Sequence, residues 1–334
     1  MRKNSVKKTL AMILCGIMAS GTAFTAIANE VPGIVAPDDG NYAIMPIEEV
    51  AEEKVVYVKT GAAETNDGLT PESPLPTLQA GVDALGLEGG TLYIMGDVSL
   101  GEASVKWPGK KADGQKRITI TGYDDNAVIG WNRALNPNGD LTIEYINIRI
   151  DKNWSYLNAR GNDLVMGKGI FVTRAEGVTN DMVIRGGGDT NVNIDGDTNV
   201  TIYSGTYSQI CGGSRNGIVS GNTNITIHGG FVSSVNGGNN NGSEPEAVGR
   251  NVQGNSYITI LGGEVINAAG NSGRNIIEGL ATLDVSRYPD FKTEWFKSFG
   301  LVKEYDPSLA AEKIALPEVK AEGAFIKGYE DNTF

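Results

Sequence analysis

Asp189, Asp195 and Asp197 form a local acidic group at the start of the repeats, with Arg185 and Arg215 close in sequence. A calcium ion takes about six to eight oxygens, which three carboxylates and neighbouring carbonyls would supply. Calcium is therefore the one metal these residues suggest, and nothing in the chain requires a cofactor. Asp195 and Asp197 also flank a turn glycine, Gly196, whose later counterparts are Gly221-Asn222 and Gly254-Asn255. Asp exchanging with Asn at a turn is what a side chain that hydrogen-bonds local backbone produces. His228 is the only histidine and could act as a general acid or base, yet no Ser or Cys nucleophile frame surrounds it. Its repeat counterparts are Tyr203 and Leu261, so an outward surface position is expected, with Tyr203 and His228 as ligand contacts. Arg215, Arg250 and Arg274 each follow a Gly-rich stretch and would face an anionic sugar from one side, or project from loops. With His228, Arg215 and Arg250 complete the catalytic candidates. Glycoside hydrolysis needs two carboxylates across a cleft; Glu144 and Asp151 are available, and no pattern pairs them. No phosphate loop, zinc-ligand spacing or catalytic triad is present.

These residues sit in a sentence written three times between positions 194 and 271. Val219-Ser-Gly-Asn-Thr-Asn-Ile-Thr-Ile227 repeats the stretch that ends in Val200-Thr-Ile202, and Val252 opens a third copy that ends in Ile258-Thr-Ile260. Thr198 and Thr223 are 25 residues apart and Thr223 and Ser256 are 33 apart, which places eight inserted residues within 240–250. Val200, Ile225 and Ile258 alternate with Thr201, Thr226 and Thr259, a strand period built from β-branched residues. A Gly-containing break follows each strand, and Tyr207, Val232 and Val265 mark a second strand in phase. Repeats of this period bury their apolar faces only against their neighbours. The expected fold is all-β, a right-handed parallel β-helix, with Val200 over Ile225 over Ile258 inside and threonines outside. Asn199 and Asn224 are expected to stack at a corner.

Upstream, residues 54–59 read as a strand, 66–77 as a turn-rich loop, and 78–87 as a short helix capped by Thr77. Strand character resumes at 89–97. Residues 55–97 resemble the opening segment of pectate-lyase-like parallel β-helix proteins, with Tyr57-Val58, Asn66-Asp-Gly-Leu-Thr-Pro-Glu72 and Gly89-Gly-Thr-Leu-Tyr-Ile94 carrying the likeness. The resemblance implies a helix laid over the open first coil, where apolar side chains and strand edges would otherwise be exposed. It implies an architecture and no particular activity. Lyases of that fold hold calcium with aspartates against a uronate and use Arg or Lys as base, which is the enzymatic reading of Asp189, Asp195, Asp197 and the arginines. Strands are expected at 118–121, 128–129 and 141–150, a loop leaving the solenoid over 151–169, further strands at 182–185 and 191–194, and a last strand at 281–285. Residues 291–299 are expected to cover the far end.

The chain has 334 residues, 45 of them Gly, a net charge of −12 and a hydrophobic fraction of 40%. Such a composition folds, and its acidity argues against nucleic acid, which needs a basic footprint. Residues 1–28 read as a secretory signal: Arg2, Lys3, Lys7 and Lys8, then an apolar run too short to span a membrane, then Ala26-Ile-Ala28 for cleavage. Cleavage would leave Cys211 as the only cysteine and so no internal disulfide, as in Gram-positive secretion. Residues 29–53 read as a linker, 54–290 as the solenoid and 291–323 as end cap and linker. Residues 324–334, Ala324-Phe-Ile-Lys-Gly-Tyr-Glu-Asp-Asn-Thr-Phe334, resemble the start of an S-layer homology domain, which implies attachment to a cell-wall polymer. The expectation is a secreted cell-surface protein whose β-helix is structural or binds glycan; the alternative is a surface-tethered polysaccharide lyase or glycoside hydrolase.

Overall fold

Alternating apolar side chains, repeated coil after coil, leave each strand an apolar face that only a parallel neighbour in the same phase can cover. The computed structural model shows that outcome, and it describes residues 53–101, 103–239, 252–271, 276–289, 291 and 296–309. The described chain is all-β apart from one eight-residue helix and two short 3-10 turns, and every strand pairing in it is parallel. The strands form long parallel sheets compatible with a parallel β-solenoid.

Ten strands make the longest sheet, from Val55–Val58 through Gly90–Ile94, Ile118–Gly122, Leu141–Glu144, Asp163–Met166, Thr198–Ile202, Thr223–Ile227, Ser256–Ile260 and Ala281–Asp284 to Leu301–Lys303. Its inner column includes Val56, Leu92, Ile120, Ile143, Leu164, Val200, Ile225, Ile258 and Leu283, all essentially buried. Burying each such side chain contributes roughly 1.5–3 kcal/mol, so the stack is held chiefly by this column. A four-stranded sheet (Asp97–Ser99, Val128–Trp131, Ile146–Ile150, Ile170–Arg174) serves the first coils. A six-stranded sheet (Tyr156–Asn158, Met182–Arg185, Thr206–Cys211, Phe231–Asn236, Glu264–Ala269, Phe296–Lys297) serves the later ones. Where the four-stranded sheet stops, the chain turns directly from the long sheet into the six-stranded one. It does so through Gly205, Gly230 and Gly263, each at a φ near +90° that a side chain resists.

The three repeats pair as expected: Thr198 with Thr223 and Ser256, Val200 with Ile225 and Ile258, and Tyr207 with Val232 and Val265. Two features lay beyond the pattern. The Thr198 and Thr223 hydroxyls, fully buried, donate across the coil to the carbonyls of Gly212 and Gly237, both at 2.6 Å. This polar neck separates the main apolar core from a smaller one of Ile194, Val219 and Val252. It also accounts for the glycine after Cys211, since a Cβ on Gly212 would lie 2.4 Å from the Gly237 carbonyl and 2.6 Å from the Thr223 Cβ.

The helix Leu78–Leu85 is capped by Thr77, whose hydroxyl accepts from the Ala80 amide, and Leu78, Val82 and Leu85 are buried against the first coil. The stretch expected to leave the solenoid stays within it: Tyr156–Asn158 and Asp163–Met166 are strands too short for alternation to betray. Ala281–Asp284 is not the last strand, because Leu301–Lys303 pairs with it and carries the long sheet on. Residues 191–194 form no strand; Ile194 makes one isolated bridge to Val219. The signal, most of the linker, the 240–250 insertion with Arg250, Arg274, most of the end cap and the 324–334 segment lie outside the described residues.

Candidate functional site

The outer face of the long sheet brings the sequence candidates Tyr203 and His228 into line with further aromatic and ionisable groups. Tyr57 pairs with Tyr93, Tyr93 with Thr121, and Thr121 with Glu144. Continuing the register, Gly167 comes next, followed by Tyr203, His228 and Leu261, whose amides bond back to Met166, Ile202 and Ile227 respectively. One line of side chains thus runs along the sheet at about 4.8 Å per coil. Tyr57 and Tyr93 stack at 5.3 Å, and Tyr123 stands edge-on to both at 5.7 and 6.2 Å. Tyr203 and His228 stack at 4.3 Å with planes 9° apart. All of these side chains are half-buried, so the stacked rings turn their polar edges outward. Burial also holds the His228 imidazole below its ordinary range, favouring the neutral ring.

Between the two aromatic groups lies Glu144. The chain turns a corner at Tyr145, a non-glycine residue at φ 46°, and this swings Glu144 over the bare Gly167. A Cβ on Gly167 would lie 2.6 Å from the Glu144 Cβ and 2.9 Å from its Oε2. Glu144 makes no hydrogen bond or ion pair among the described residues. Burial raises its carboxyl above the usual range, the nearby Glu53 adds to the rise, and Lys168 opposes it more weakly. An unpaired, half-buried carboxyl beside aromatic edges is equipped to accept hydrogen bonds from a ligand's hydroxyls or ammonium.

The other sequence candidates are arranged differently. Asp197 accepts from the Asn222 amide at 2.7 Å, Asn222 from Asn255 at 2.8 Å, and Asn255 from Leu280 at 2.8 Å. Asp195 accepts from the Ser220 hydroxyl. Asp197, Asn222 and Asn255 are rungs that each satisfy the turn of the following coil. Asn224 likewise donates to Asn199, and Asn199 to Asp163. Asp189 belongs to another group. Arg185, 2% exposed, bonds Asp189 at 3.3 Å and Asn158 at 3.1 Å and lies 4.2 Å over the Tyr156 ring, while Arg215 approaches Asp189 at 3.8 Å. The three aspartates are therefore not gathered, and among the described residues no three His, Cys, Asp or Glu are placed to hold a metal. Asp151 is held by Arg149 at 2.7 Å, on a different sheet from Glu144.

Sequence reasoning found Tyr203 and His228 but missed Tyr57, Tyr93 and Tyr123 and left Glu144 unplaced. Tyr57 and Tyr93 each stand one residue past a buried valine or leucine in a recognised strand, a signal that the unequal lengths of the early coils obscured. Among the described residues no helix is long and apolar enough to cross a membrane. Comparisons with protein-family models, with curated proteins and with solved structures return no match.

Proposed function

We infer that this chain is the solenoid module of a secreted, cell-wall-associated surface protein, and that the outer face of its long sheet binds glycan. The observation that carries the reading is the outward row Tyr57-Tyr93-Thr121-Glu144-Gly167-Tyr203-His228. A linear polymer needs a line of rigid, amphipathic contacts, and half-buried ring pairs at both ends of one row, with Glu144 between them, supply one at low entropic cost. The signal-like residues 1–28 and the S-layer-homology-like residues 324–334 support an extracellular, wall-attached setting on a Gram-positive cell. The pectate-lyase-like opening segment supports a right-handed winding. Calcium is no part of this reading.

One observation favours a glycoside hydrolase as the second reading: burial keeps the Glu144 carboxyl above its usual range, as a general acid requires. Purified protein incubated with a panel of plant and bacterial polysaccharides separates the two. Retention of a polymer without new reducing ends or unsaturated uronide absorbance, weakened in Tyr203→Ala, supports the binding module. Turnover abolished in Glu144→Gln supports the hydrolase.

A further inference from the structure

The chemical class of that glycan is written in the charges around the row. Glu144 sits at the row's centre with no hydrogen-bond or ion-pair partner among the described residues, leaning over Gly167 toward the coil that carries Tyr203. Three carboxylates bear on the line: Glu72 acts on Tyr57, Glu53 on Tyr93 and on Glu144, and Glu144 on Tyr93 and Tyr145. Lys168 is the cation that bears on Glu144, and Glu53 outweighs it there. Among the described residues, Arg185 and Arg215 meet at Asp189 at the end of the six-stranded sheet, with Arg185 buried, while Arg117, beside the long sheet, bonds Thr142 at 3.1 Å and approaches Asp140 at 3.8 Å.

We propose that Glu144 is the specificity-determining residue of the row, admitting neutral or amine-bearing sugars and rejecting uronates. A uronate carboxylate laid along the row would meet Glu144 and Glu53 while the Arg117 guanidinium is held by Thr142 and Asp140, a like-charge contact that discriminates by repulsion. A sugar hydroxyl pair or ammonium meets an acceptor that none of the described residues supplies with a donor. This inference rests on the glycan-binding reading and adds its selectivity.

The test uses three probes of matched length: a chitosan tetrasaccharide, its fully N-acetylated counterpart and a tetragalacturonate. Each is titrated calorimetrically into the full chain, into Tyr203→Ala and into Glu144→Gln. Only binding weakened by Tyr203→Ala is assigned to the row. The expected result is that the two non-acidic probes bind the row and the uronate binds it at least about tenfold more weakly, ~1.4 kcal/mol. Glu144→Gln should narrow that gap and lower the affinity for the chitosan probe. Row binding of the uronate as tight as that of the others, or a gap that Glu144→Gln leaves unchanged, overturns the selectivity while keeping the glycan reading. Failure of all three probes to bind overturns both.

Discussion

The buried threonine neck makes a sharp prediction, because three residues in one register differ in whether their hydroxyl is bonded. Thr198, Thr223 and Ser256 pair side by side and are all fully buried. The Thr198 and Thr223 hydroxyls each reach a glycine carbonyl at 2.6 Å, whereas the Ser256 hydroxyl has no partner among the described residues. Thr223→Val keeps the shape, removes the donor and leaves the Gly237 carbonyl without it, at a cost of about 1–3 kcal/mol. The added methyl returns up to ~0.8 kcal/mol of apolar burial. The net loss should therefore be about 0.5–2 kcal/mol, and Thr198→Val should match it. Ser256→Ala removes an unpaired buried hydroxyl and should be neutral to slightly stabilising. Thr226→Val, on the outer face, should stay within about 0.5 kcal/mol of wild type. Urea unfolding followed by circular dichroism reads these as shifts in midpoint at constant slope. If Thr223→Val matches Thr226→Val, or Ser256→Ala costs as much as Thr223→Val, the neck does not hold the two compartments as described.

Asn222→Ala removes the acceptor for the Asn255 amide and the side-chain partner of Asp197, and should destabilise by about 1–2 kcal/mol in the same assay. Gly212→Ala forces a Cβ against the Gly237 carbonyl and should cost about 1–3 kcal/mol. The Glu144 carboxyl is raised in the folded state, so its ionised form costs stability above that raised value. Glu144→Gln should thus be more stable than wild type near neutrality, and the gain should vanish as pH falls below the unfolded value of 4.5. The His228 imidazole is lowered, so stability it shares in above pH 6.5 should fall as pH drops from 6.5 through the lowered folded value. His228→Gln should remove that part of the pH dependence. Cys211, fully buried, should react with a thiol reagent only as fast as the protein opens.

The later coils were legible because they repeat the same residues in one phase: Thr198, Asn199, Val200 and their partners pair as their order in the chain implies. The helix was legible from Thr77 and the spacing of Leu78, Val82 and Leu85. The early coils were less so. Tyr156–Asn158 spans three residues, which alternation cannot identify, and the corner at Tyr145 uses no glycine to announce it. That corner is what turns Glu144 over Gly167, so the centre of the row is a consequence of tertiary register that no local pattern carries. The aspartates illustrate the reverse. Asp197 and Asn222 exchange at a turn in the sequence, and the structure shows them accepting from the next coil's backbone instead of gathering with Asp189. The hydrogen bonds that use these carboxyl and amide oxygens run between coils, where the repeat itself supplies the donor.

His228 offers the most direct test of the central claim, that ligand lies along the outer row. It is the chain's only histidine, so its ring Cε1–H gives a single carbon–proton correlation that needs no assignment. Titrating the three tetrasaccharides while following that signal, with calorimetry as the independent record of binding, locates the site. A probe that binds should shift the His228 signal with the same saturation curve, and Tyr203→Ala should reduce both responses together. Calorimetric binding that leaves the His228 signal and its titration unmoved would place the ligand elsewhere on the molecule and contradict the account.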